Sequence, residues 1–389
     1  MFPELTIGGT PYERGCAYGA AVPRLIKQSI ASYARLFAYR RGVDWADSQS
    51  AALAYLPVLR EVAPDLLEEM RGIADGAGRQ LGEILALNAR TELMAGVGVG
   101  VIAPGWLDAR ARNRAAGVPA HPDDGGPASG AAPSADGECT TAAAQPAATA
   151  TATTILAQTW DWAGDQRAAC ILLRVRAPGE PEILTMTEAG IVAKIGLNRA
   201  GLAVGLNLLR SEIDGRALGM PVHVLLRKML QAGSFAQARA VADMAPAGGS
   251  SCVTLASATG DLVSLEITPA GVAEVWPQGG VLAHANHCLD VGAATGECLI
   301  SPALSTTRER YGRAWDLLNT GGALGIADFQ AILRDHGGDP RCICRHPDPR
   351  LAPVDRSESV CGIVIDLGTR VMHVAPDVPC TVAFTPVAL

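Results

Sequence analysis

The segment Gly137-Glu138-Cys139-Thr140-Thr141 lies where the composition of the chain changes abruptly. Before it, residues 95–138 are mainly Gly, Ala, Pro, Asp and Ser, with almost no large apolar side chain after residue 107. Such a stretch cannot bury enough surface to offset its ordering entropy, so we predict a flexible loop. A loop of this length inside a compact chain needs a functional reason or marks a domain boundary.

The regions on the two sides of this loop carry different patterns. Residues 1–94 are predicted to be helical, since apolar residues recur at helical spacing over 23–42, 48–60, 64–76 and 81–93. Residues 139–389 are richer in strands. Predicted strands cover 154–162, 169–176, 183–187, 191–197, 202–208, 252–256, 262–267, 282–286, 360–366, 370–374 and 381–384. Predicted helices cover 221–232, 234–244, 305–318 and 327–335. Consecutive strands with segregated helices predict an α+β layered fold.

The bulk properties exclude several classes of protein. The chain has 389 residues, 49% of them hydrophobic, and a formal net charge of −7, without the basic footprint of a nucleic-acid binder. Its longest apolar stretch, 197–209, is interrupted by polar residues and is too short to span a membrane. The N-terminus lacks the pattern of a secretory signal. We therefore expect a cytoplasmic protein with a small-molecule partner, no nucleic acid and no membrane.

No metal site is predicted. The ten cysteines are irregularly spaced, which in a long chain without a signal indicates reduced thiols. Cys342-x-Cys344 has no second pair at the spacing of a zinc site. His284 and His287 lie on a predicted strand and its end, where they would point to opposite faces, so we interpret them as packing or hydrogen-bonding residues.

Cys139 can be interpreted in two ways. An arbitrary cysteine is usually an ordinary, partly buried thiol. If the Glu138–Cys139 bond breaks, however, Cys139 carries both a thiol and an α-amine of pKa about 7.7–8.0, which can serve as the general base for that thiol. The same thiol could perform the cleavage by attacking the Glu138 carbonyl, and water would then hydrolyse the thioester. The flexible loop would allow the scissile bond to adopt the required geometry.

At this point the sequence resembles the acyl-coenzyme A:6-aminopenicillanic acid acyltransferase family of self-processing N-terminal nucleophile (Ntn) cysteine enzymes. Cys139-Thr-Thr-Ala142 resembles the processing site of that family, and Ala157-Gln-Thr-Trp-Asp-Trp162 resembles a second motif. Further similar segments follow in the same order along nearly the whole chain: 188–198, 200–207, 266–269, 284–288, Cys344-Arg345 and Arg356.

The resemblance implies catalytic roles for three residues. Cys139 would be the nucleophile, and Glu138–Cys139 the cleavage site. Asn286 would donate its amide to the oxyanion of the tetrahedral intermediate, unless it only closes a strand end. Asp161 would lie beside the nucleophile and position the substrate or the amine, unless it is an exposed strand-end carboxylate.

Three further positions are implied to bind substrate. Arg356 would lie near the nucleophile, or would be a solvated loop charge. Arg345 would bind a substrate carboxylate or form a structural ion pair. Thr268 corresponds to a hydroxyl position of the family, although threonine is also common in strands for packing reasons.

The sequence also departs from the family pattern. Thr159 replaces an expected Asn, Glu138 replaces a Gly, and Ala143 and Ala144 replace larger residues. These changes are compatible with the catalytic machinery and leave the substrate open.

The fold implied by the resemblance is a four-layer αββα Ntn-hydrolase sandwich, in which two antiparallel sheets are flanked by helices. After cleavage, residues 1–94 would remain docked as a small subunit on the large subunit 139–389, giving a heterodimer. The implied activity is acyl transfer or amide hydrolysis through a thioester acyl-enzyme. The donor would be an amide or an acyl-coenzyme A thioester, so that coenzyme A enters as part of a substrate and no cofactor is needed. Two alternatives stay open: a strict amide hydrolase of peptide-amine or acyl-amino-acid type, and an unprocessed, non-catalytic binding homologue.

Overall fold

The computed structural model describes residues 1–95, 139–211, 213–215, 218–290, 305–339 and 342–389. The loop predicted over 95–138 therefore lies, except for Ala95, outside the described residues, and so does Glu138. None of the described helices combines the length and the apolar character that a membrane span requires.

The N-terminal region is helical, as predicted, but begins with a strand. Its elements are β1 (Glu4–Gly8), α1 (Pro11–Ala21), α2 (Pro23–Arg41), α3 (Trp45–Leu53), α4 (Leu56–Val62), α5 (Pro64–Ala77), α6 (Leu81–Asn88) and α7 (Arg90–Met94). The helix predicted over 48–60 is two helices, because the chain turns at Ala54–Tyr55 and Pro57 lies in the first turn of α4, where proline is tolerated.

The region from Cys139 onward contains both sheets and the remaining helices. The strands are β2 (Cys139–Ala144), β3 (Ile155–Ala163), β4 (Cys170–Arg176), β5 (Ile183–Glu188), β6 (Ile195–Asn198), β7 (Leu202–Leu208), β8 (Ser251–Ser257), β9 (Leu262–Thr268), β10 (Gly271–Val275), β11 (Val281–His284), β12 (Ser357–Asp366), β13 (Val371–Ala375) and β14 (Thr385–Ala388). The helices are α8 (Val222–Gln231), α9 (Phe235–Ala240), α10 (Thr307–Leu318) and α11 (Ile326–Ile332), with short 3-10 turns at Pro146–Ala148, Gly164–Ala169, Val241–Asp243 and Pro353–Asp355.

Two of the predicted strands are displaced. The strand predicted over 191–197 begins only at Ile195, because the Ile191 N–H donates to the Glu188 carbonyl and closes a turn. The strand predicted over 381–384 is wrong: Thr381 donates to the Val378 carbonyl in a turn, and β14 starts at Thr385.

The strands form two sheets that pack face to face. One sheet has the order β1-β4-β5-β6-β7-β8-β9-β10, and the other has the order β11-β2-β3-β12-β13-β14. The described pairs are antiparallel apart from β1 with β4, which are parallel. The sheets meet where β2 and β3 pack on β7, α8 and α9 cover the outer face of the eight-stranded sheet, and α10 and α11 cover the outer face of the six-stranded sheet. The predicted four-layer α+β sandwich is confirmed, with one parallel pair at its edge.

The N-terminal helices share the core with the rest of the chain. Glu69 on α5 is fully buried between Arg14 of α1 and Arg227 of α8, whose guanidinium donates to both Glu69 carboxylate oxygens at 3.0 and 3.1 Å. Removing one member of such a buried group leaves an uncompensated charge, which is strongly destabilising. The Glu69–Arg227 ion pair therefore joins residues 1–95 to the region from Cys139 onward.

Helices α1 and α5 approach each other so closely that only glycine fits between them. A Cβ at Gly72 would lie 2.2 Å from the Tyr12 carbonyl oxygen and 2.7 Å from the Cys16 nitrogen, and a Cβ at Gly15 would lie 2.1 Å from the Glu69 carbonyl oxygen. These are backbone atoms, so the helices would have to separate to admit a side chain.

We expect Gly72→Ala to lower the free energy of unfolding by about 2–3 kcal/mol, because overpacking at a rigid backbone contact costs this much. The matched control is Gly312→Ala on α10, where an added Cβ meets no atom within 4 Å. That change should raise the stability by about 0.5–1 kcal/mol through helix propensity. Chemical denaturation of both variants provides the measurement, and equal effects at the two positions would contradict the packing described.

Candidate active site

The backbone of Cys139 is held by three buried side chains. Cys139 is the first residue of β2, pairs with Trp160 of β3, and is 5% exposed. Its N–H donates to Asn286 Oδ1 at 2.7 Å, and its carbonyl oxygen accepts from Asn207 Nδ2 at 3.0 Å and from Arg310 Nη1 at 2.8 Å. Both polar groups of the Cys139 backbone are therefore fixed before any reaction begins.

Arg310 connects the residues of this site. It extends from α10 with 2% of its surface exposed, and it also donates from Nη1 to Thr140 Oγ1 at 2.8 Å and from Nη2 to Asn286 Oδ1 at 3.0 Å. Burial lowers the pKa of the guanidinium, while the nearby Asp161 raises it. An arginine nevertheless keeps its charge in proteins. The site thus contains one fixed positive charge next to the start of β2.

Sequence reasoning missed both Arg310 and Asn207. Asn207 falls within a segment that resembles the family, but no role was assigned to it. For Arg310 one signal was available: the buried residues of α10 are Thr307, Arg310, Ala314 and Leu318, spaced as one helix face. An arginine on the buried face of a helix requires a partner.

Asn286 follows β11 and is buried. Its backbone N–H donates to Thr307 Oγ1 at 2.7 Å, and its Nδ2 donates to the Leu208 carbonyl at 2.9 Å. The oxygen of the amide group therefore faces Cys139 and Arg310, and the NH₂ group is directed toward the strand that carries Leu208. The predicted role of Asn286 as an oxyanion donor stays a prediction.

Asp161 lies on β3 directly after the partner of Cys139 and is fully buried. Its carboxylate accepts a hydrogen bond from Ser359 Oγ at 2.7 Å. Burial raises the pKa of Asp161 to about 7, while the charge of Arg310 and the hydrogen bond from Ser359 act in the opposite direction.

The thiol of Cys139 is protonated near neutral pH. Burial, and then the negative charge of Asp161, raise its pKa to about 11, although a hydrogen bond to the Asp161 backbone lowers it. A thiol in this state is a weak nucleophile and needs a base.

The thiol and the carboxylate belong to different faces of the sheet. Cys139, Trp160 and Trp162 line a cavity between the sheets. Because side chains alternate along a strand, Asp161 lies between the two tryptophans and projects toward the helices α10 and α11. Asp161 therefore supports the site from behind and does not form part of the cavity wall.

The cavity has an empty volume of about 590 Å³, including open space at its mouth. Its wall is mainly aromatic and aliphatic, with a few polar groups; the lining residues are Arg90, Thr91, Met94, Ala95, Cys139, Gln158, Trp160, Trp162, Lys194, Ile195, Leu206, Leu208 and Arg210. The described chain before residue 96 and the chain from Cys139 onward thus both contribute to it. This composition is typical of a pocket for a largely apolar ligand.

Buried charges lie behind one wall of this cavity. Glu188 pairs with Arg90 at 3.3 Å and with Lys194 at 2.5 Å. Burial alone would raise the pKa of Glu188, but the two cations lower it to about 2. Burial lowers the pKa of Lys194 to about 8, so the lysine is still mostly charged at neutral pH. The guanidinium of Arg90 lies over the ring of Trp162, and the ammonium of Lys194 lies over the ring of Trp160. Two positive charges and the one negative charge of Glu188 leave this wall with a net positive charge.

Arg345 lies on the same side of the sheet as Asp161. It is 5% exposed, and burial lowers its pKa to about 10. Its Nη1 donates to Ser357 Oγ at 2.9 Å, and its backbone N–H donates to Ser359 Oγ at 2.9 Å. Since Ser359 donates to Asp161, Arg345 is linked to the carboxylate through one hydroxyl.

The side chains of Arg356 and Thr268 form hydrogen bonds with backbone groups that are not part of this site. The guanidinium of Arg356 donates to the carbonyl oxygens of Leu351 and Pro349 at 2.9 and 3.0 Å. Thr268, at the end of β9, accepts from the Ala270 N–H at 3.1 Å in the turn to β10. Neither contact leads to Cys139, so substrate binding by these two residues stays a prediction.

The two histidines singled out by the sequence both form hydrogen bonds. His284 Nε2 lies 2.8 Å from Glu266 Oε1, and His287 Nδ1 lies 2.9 Å from Thr307 Oγ1. These contacts agree with their interpretation as hydrogen-bonding residues.

The raised pKa of Asp161 predicts a pH dependence of stability. Between pH 3.8 and about 7 the unfolded chain loses the Asp161 proton while the folded chain keeps it. The free energy of unfolding therefore falls as pH rises, by at most about 1.4 kcal/mol per pH unit. Asp161→Asn removes this dependence, so its stability relative to the parent should rise between pH 4 and 7 and then level off. Denaturation curves in a Cys139→Ala background measure this difference, and a difference that is independent of pH would contradict the assignment.

Comparison with known proteins shows the family to which the chain belongs. A model of the family described as acyl-coenzyme A:6-aminopenicillanic acid acyl-transferase matches residues 149–351. The chain is 29% identical over 347 residues to the acyl-coenzyme A:6-aminopenicillanic-acid-acyltransferase 40 kDa form of Emericella nidulans, a match that covers 88% of this chain and 84% of the relative.

Solved structures with a similar fold include a penicillin V acylase from Agrobacterium tumefaciens. That comparison has a TM-score of 0.40 and 14% sequence identity, and it covers 61% of this chain and 82% of the acylase. A mutant of the conjugated bile acid hydrolase from Clostridium perfringens gives a TM-score of 0.42 and 11% identity over 64% of this chain and 92% of the hydrolase. The family match extends over more than half of the sequence. The chain therefore belongs to the acyl-coenzyme A:6-aminopenicillanic acid acyltransferase family, and the predicted resemblance is confirmed.

Proposed function

We propose that the chain cleaves itself between Glu138 and Cys139, and that the thiol of Cys139 then carries acyl groups as a thioester. The observation that carries this proposal is the position of Cys139. It begins a strand, its thiol faces a cavity, and its backbone N–H and carbonyl are held by Asn286, Asn207 and Arg310. Membership of an acyltransferase family supports the assignment as an enzyme.

In the cleavage step, the sulfur of Cys139 attacks the carbonyl carbon of Glu138. The carbon–nitrogen bond between the two residues breaks, the proton of the thiol ends on the departing nitrogen, and a thioester remains. Water then hydrolyses the thioester, releasing the Glu138 carboxylate and the thiol. Asn286 Oδ1 accepts from this nitrogen at 2.7 Å and so orients the leaving group.

In the acyl-transfer step, the new α-amine of Cys139 supplies a base that does not exist before cleavage. An α-amine has a pKa of about 7.7–8.0, so a sizeable fraction is neutral near pH 7.5 and can accept the thiol proton. The positive charge of Arg310, held 3.0 Å from the same Asn286 oxygen, disfavours a second positive charge on the amine. The thiolate attacks the donor carbonyl, the leaving group departs with the proton, and an amine or water then accepts the acyl group.

The cavity indicates the class of acyl group. Trp160, Leu206 and Leu208 offer apolar surface beside the thiol, while Arg90 and Lys194 leave one wall cationic. We infer a small-molecule donor with an apolar acyl chain, attached as an amide or as an acyl-coenzyme A thioester. The name of the Emericella nidulans relative, an acyl-coenzyme A acyltransferase, supports the thioester form.

The two fragments should remain together after cleavage as a heterodimer. Glu69 would then belong to the small fragment and Arg227 to the large one, and their bidentate ion pair is completely buried. The parallel pairing of β1 with β4 joins the same two fragments.

The purified wild-type chain should appear on a denaturing gel as two unequal fragments, with the larger beginning at Cys139 by terminal sequencing. Cys139→Ala should remain a single chain, because the attacking sulfur is gone. The control is Cys361→Ala, which removes another buried thiol from β12, a strand of the same sheet separated from β2 by β3, and should be cleaved normally. A single chain for both the wild type and Cys139→Ala would contradict the proposal and would favour a non-catalytic binding protein.

A charge placed in the cavity should weaken the use of apolar donors. We expect Leu206→Glu to lower kcat/KM for apolar acyl donors by roughly 10- to 100-fold, which corresponds to the loss of one apolar side-chain contact. The control is Leu53→Glu on α3, where the leucine is 43% exposed. A screen of coenzyme A thioesters and N-acyl amides, with and without amine acceptors, gives the measurement. Unchanged kcat/KM in Leu206→Glu would show that the acyl group binds elsewhere.

A further inference from the structure

Four side chains that can bind a metal meet on the outer side of the six-stranded sheet, near Ser359 of β12. His336 follows α11, Cys344 and His346 flank Arg345, and Cys380 lies in the turn before β14. One ligand atom from each residue lies within 4.8 Å of every other. The group combines two histidines and two cysteines from three separate segments of the chain.

Two of the distances between ligand atoms are close to those around a tetrahedral ion. The Nε2 atoms of His336 and His346 lie 3.2 Å apart, and Cys380 Sγ lies 3.2 Å from His346 Nε2. Around a tetrahedral zinc ion with Zn–N bonds of about 2.0–2.1 Å and Zn–S bonds of about 2.3 Å, neighbouring ligand atoms are separated by roughly 3.3–3.8 Å. Small movements of these side chains would complete the site.

We propose that His336, Cys344, His346 and Cys380 form a structural Zn²⁺ site. A Cys₂His₂ set is a closed zinc site, because four protein ligands leave no open coordination position. Thiolate and imidazole ligands select zinc over magnesium or calcium, which prefer oxygen.

The protein positions this group through contacts that do not involve the metal. Arg334, at the end of α11, donates to the Pro379 carbonyl at 2.9 Å and to the Val382 carbonyl at 3.1 Å, on either side of Cys380. The turn that carries Cys380 is therefore fixed against the helix that precedes His336. An ion would bind to ligands that are already close together.

The proposed site lies behind the candidate active site. Arg345, between the two central ligands, donates its backbone N–H to Ser359 Oγ, and Ser359 donates to Asp161. An ion on Cys344 and His346 would immobilise this segment and so hold the hydroxyl that supports the carboxylate. This consequence applies whether or not Cys139 cleaves the chain.

Sequence reasoning did not find this group of residues. The expectation of no metal rested on Cys342-x-Cys344, which lacks a second cysteine pair. Cys342 does not belong to the group, because its Sγ donates to the Cys344 carbonyl at 2.9 Å. The other proposed ligands are His346, two positions from Cys344 in the sequence, and His336 and Cys380, which only the fold brings near Cys344.

The test is metal analysis of the purified full-length chain, expressed with zinc and dialysed without chelator. We expect about one zinc per chain by elemental mass spectrometry, and a lower Tm, by at least ~5 °C, after removal of the ion with a chelator. Cobalt substitution should give the thiolate charge-transfer band and the visible absorption of a tetrahedral site.

Variants separate a specific site from adventitious binding. Cys380→Ser and His336→Ala change exposed ligands and should each lose most of the zinc, whereas Cys16→Ser and His373→Ala, which change residues outside the group, should keep it. Circular dichroism confirms that each variant is folded. A wild type with no stoichiometric zinc, equal zinc in Cys380→Ser, or a Cys344–Cys380 disulfide found by mass spectrometry under non-reducing conditions would overturn the proposal.

Discussion

The site depends on the hydrogen bonds that the buried guanidinium of Arg310 donates. This guanidinium reaches from α10 into the start of β2 and binds the Cys139 carbonyl, the Thr140 hydroxyl and the Asn286 amide oxygen within 2.8–3.0 Å. A charge buried this deeply is stable only when it is well hydrogen-bonded. This one side chain therefore joins helix α10 of the outer layer to Cys139 and Thr140 of the six-stranded sheet.

The two faces of the six-stranded sheet carry different groups of residues. Its inner face presents the Cys139 thiol and two tryptophans to the cavity, where the acyl group would bind. Its outer face carries Asp161 and Ser359, supported by the segment around Arg345. Chemistry would take place on one face while the other face holds the reacting residues in position, and the proposed zinc ion would brace that outer face.

Local pattern was enough to predict much of the fold. Strands such as β7 (Leu202–Leu208) and helices such as α8 (Val222–Gln231) follow from their apolar residues, which are mostly buried in the structure. The resemblance around Cys139 added the four-layer arrangement. The strand predicted over 381–384 failed because backbone hydrogen bonds in a turn outweighed its β-forming residues. Arg310, Asn207 and the four proposed zinc ligands were not predicted. Their roles depend on contacts between residues that are distant in sequence.

The proposed reaction requires that the thiol of Cys139 become acylated during turnover. The most direct measurement is rapid acid quenching of the purified enzyme during turnover of an acyl-coenzyme A thioester or N-acyl amide, followed by intact mass spectrometry and peptide mapping. We expect a mass increase equal to one acyl group on the fragment that begins at Cys139, located on that residue and removed by hydroxylamine. Turnover with no covalent adduct, or with the acyl group on another residue, would contradict it.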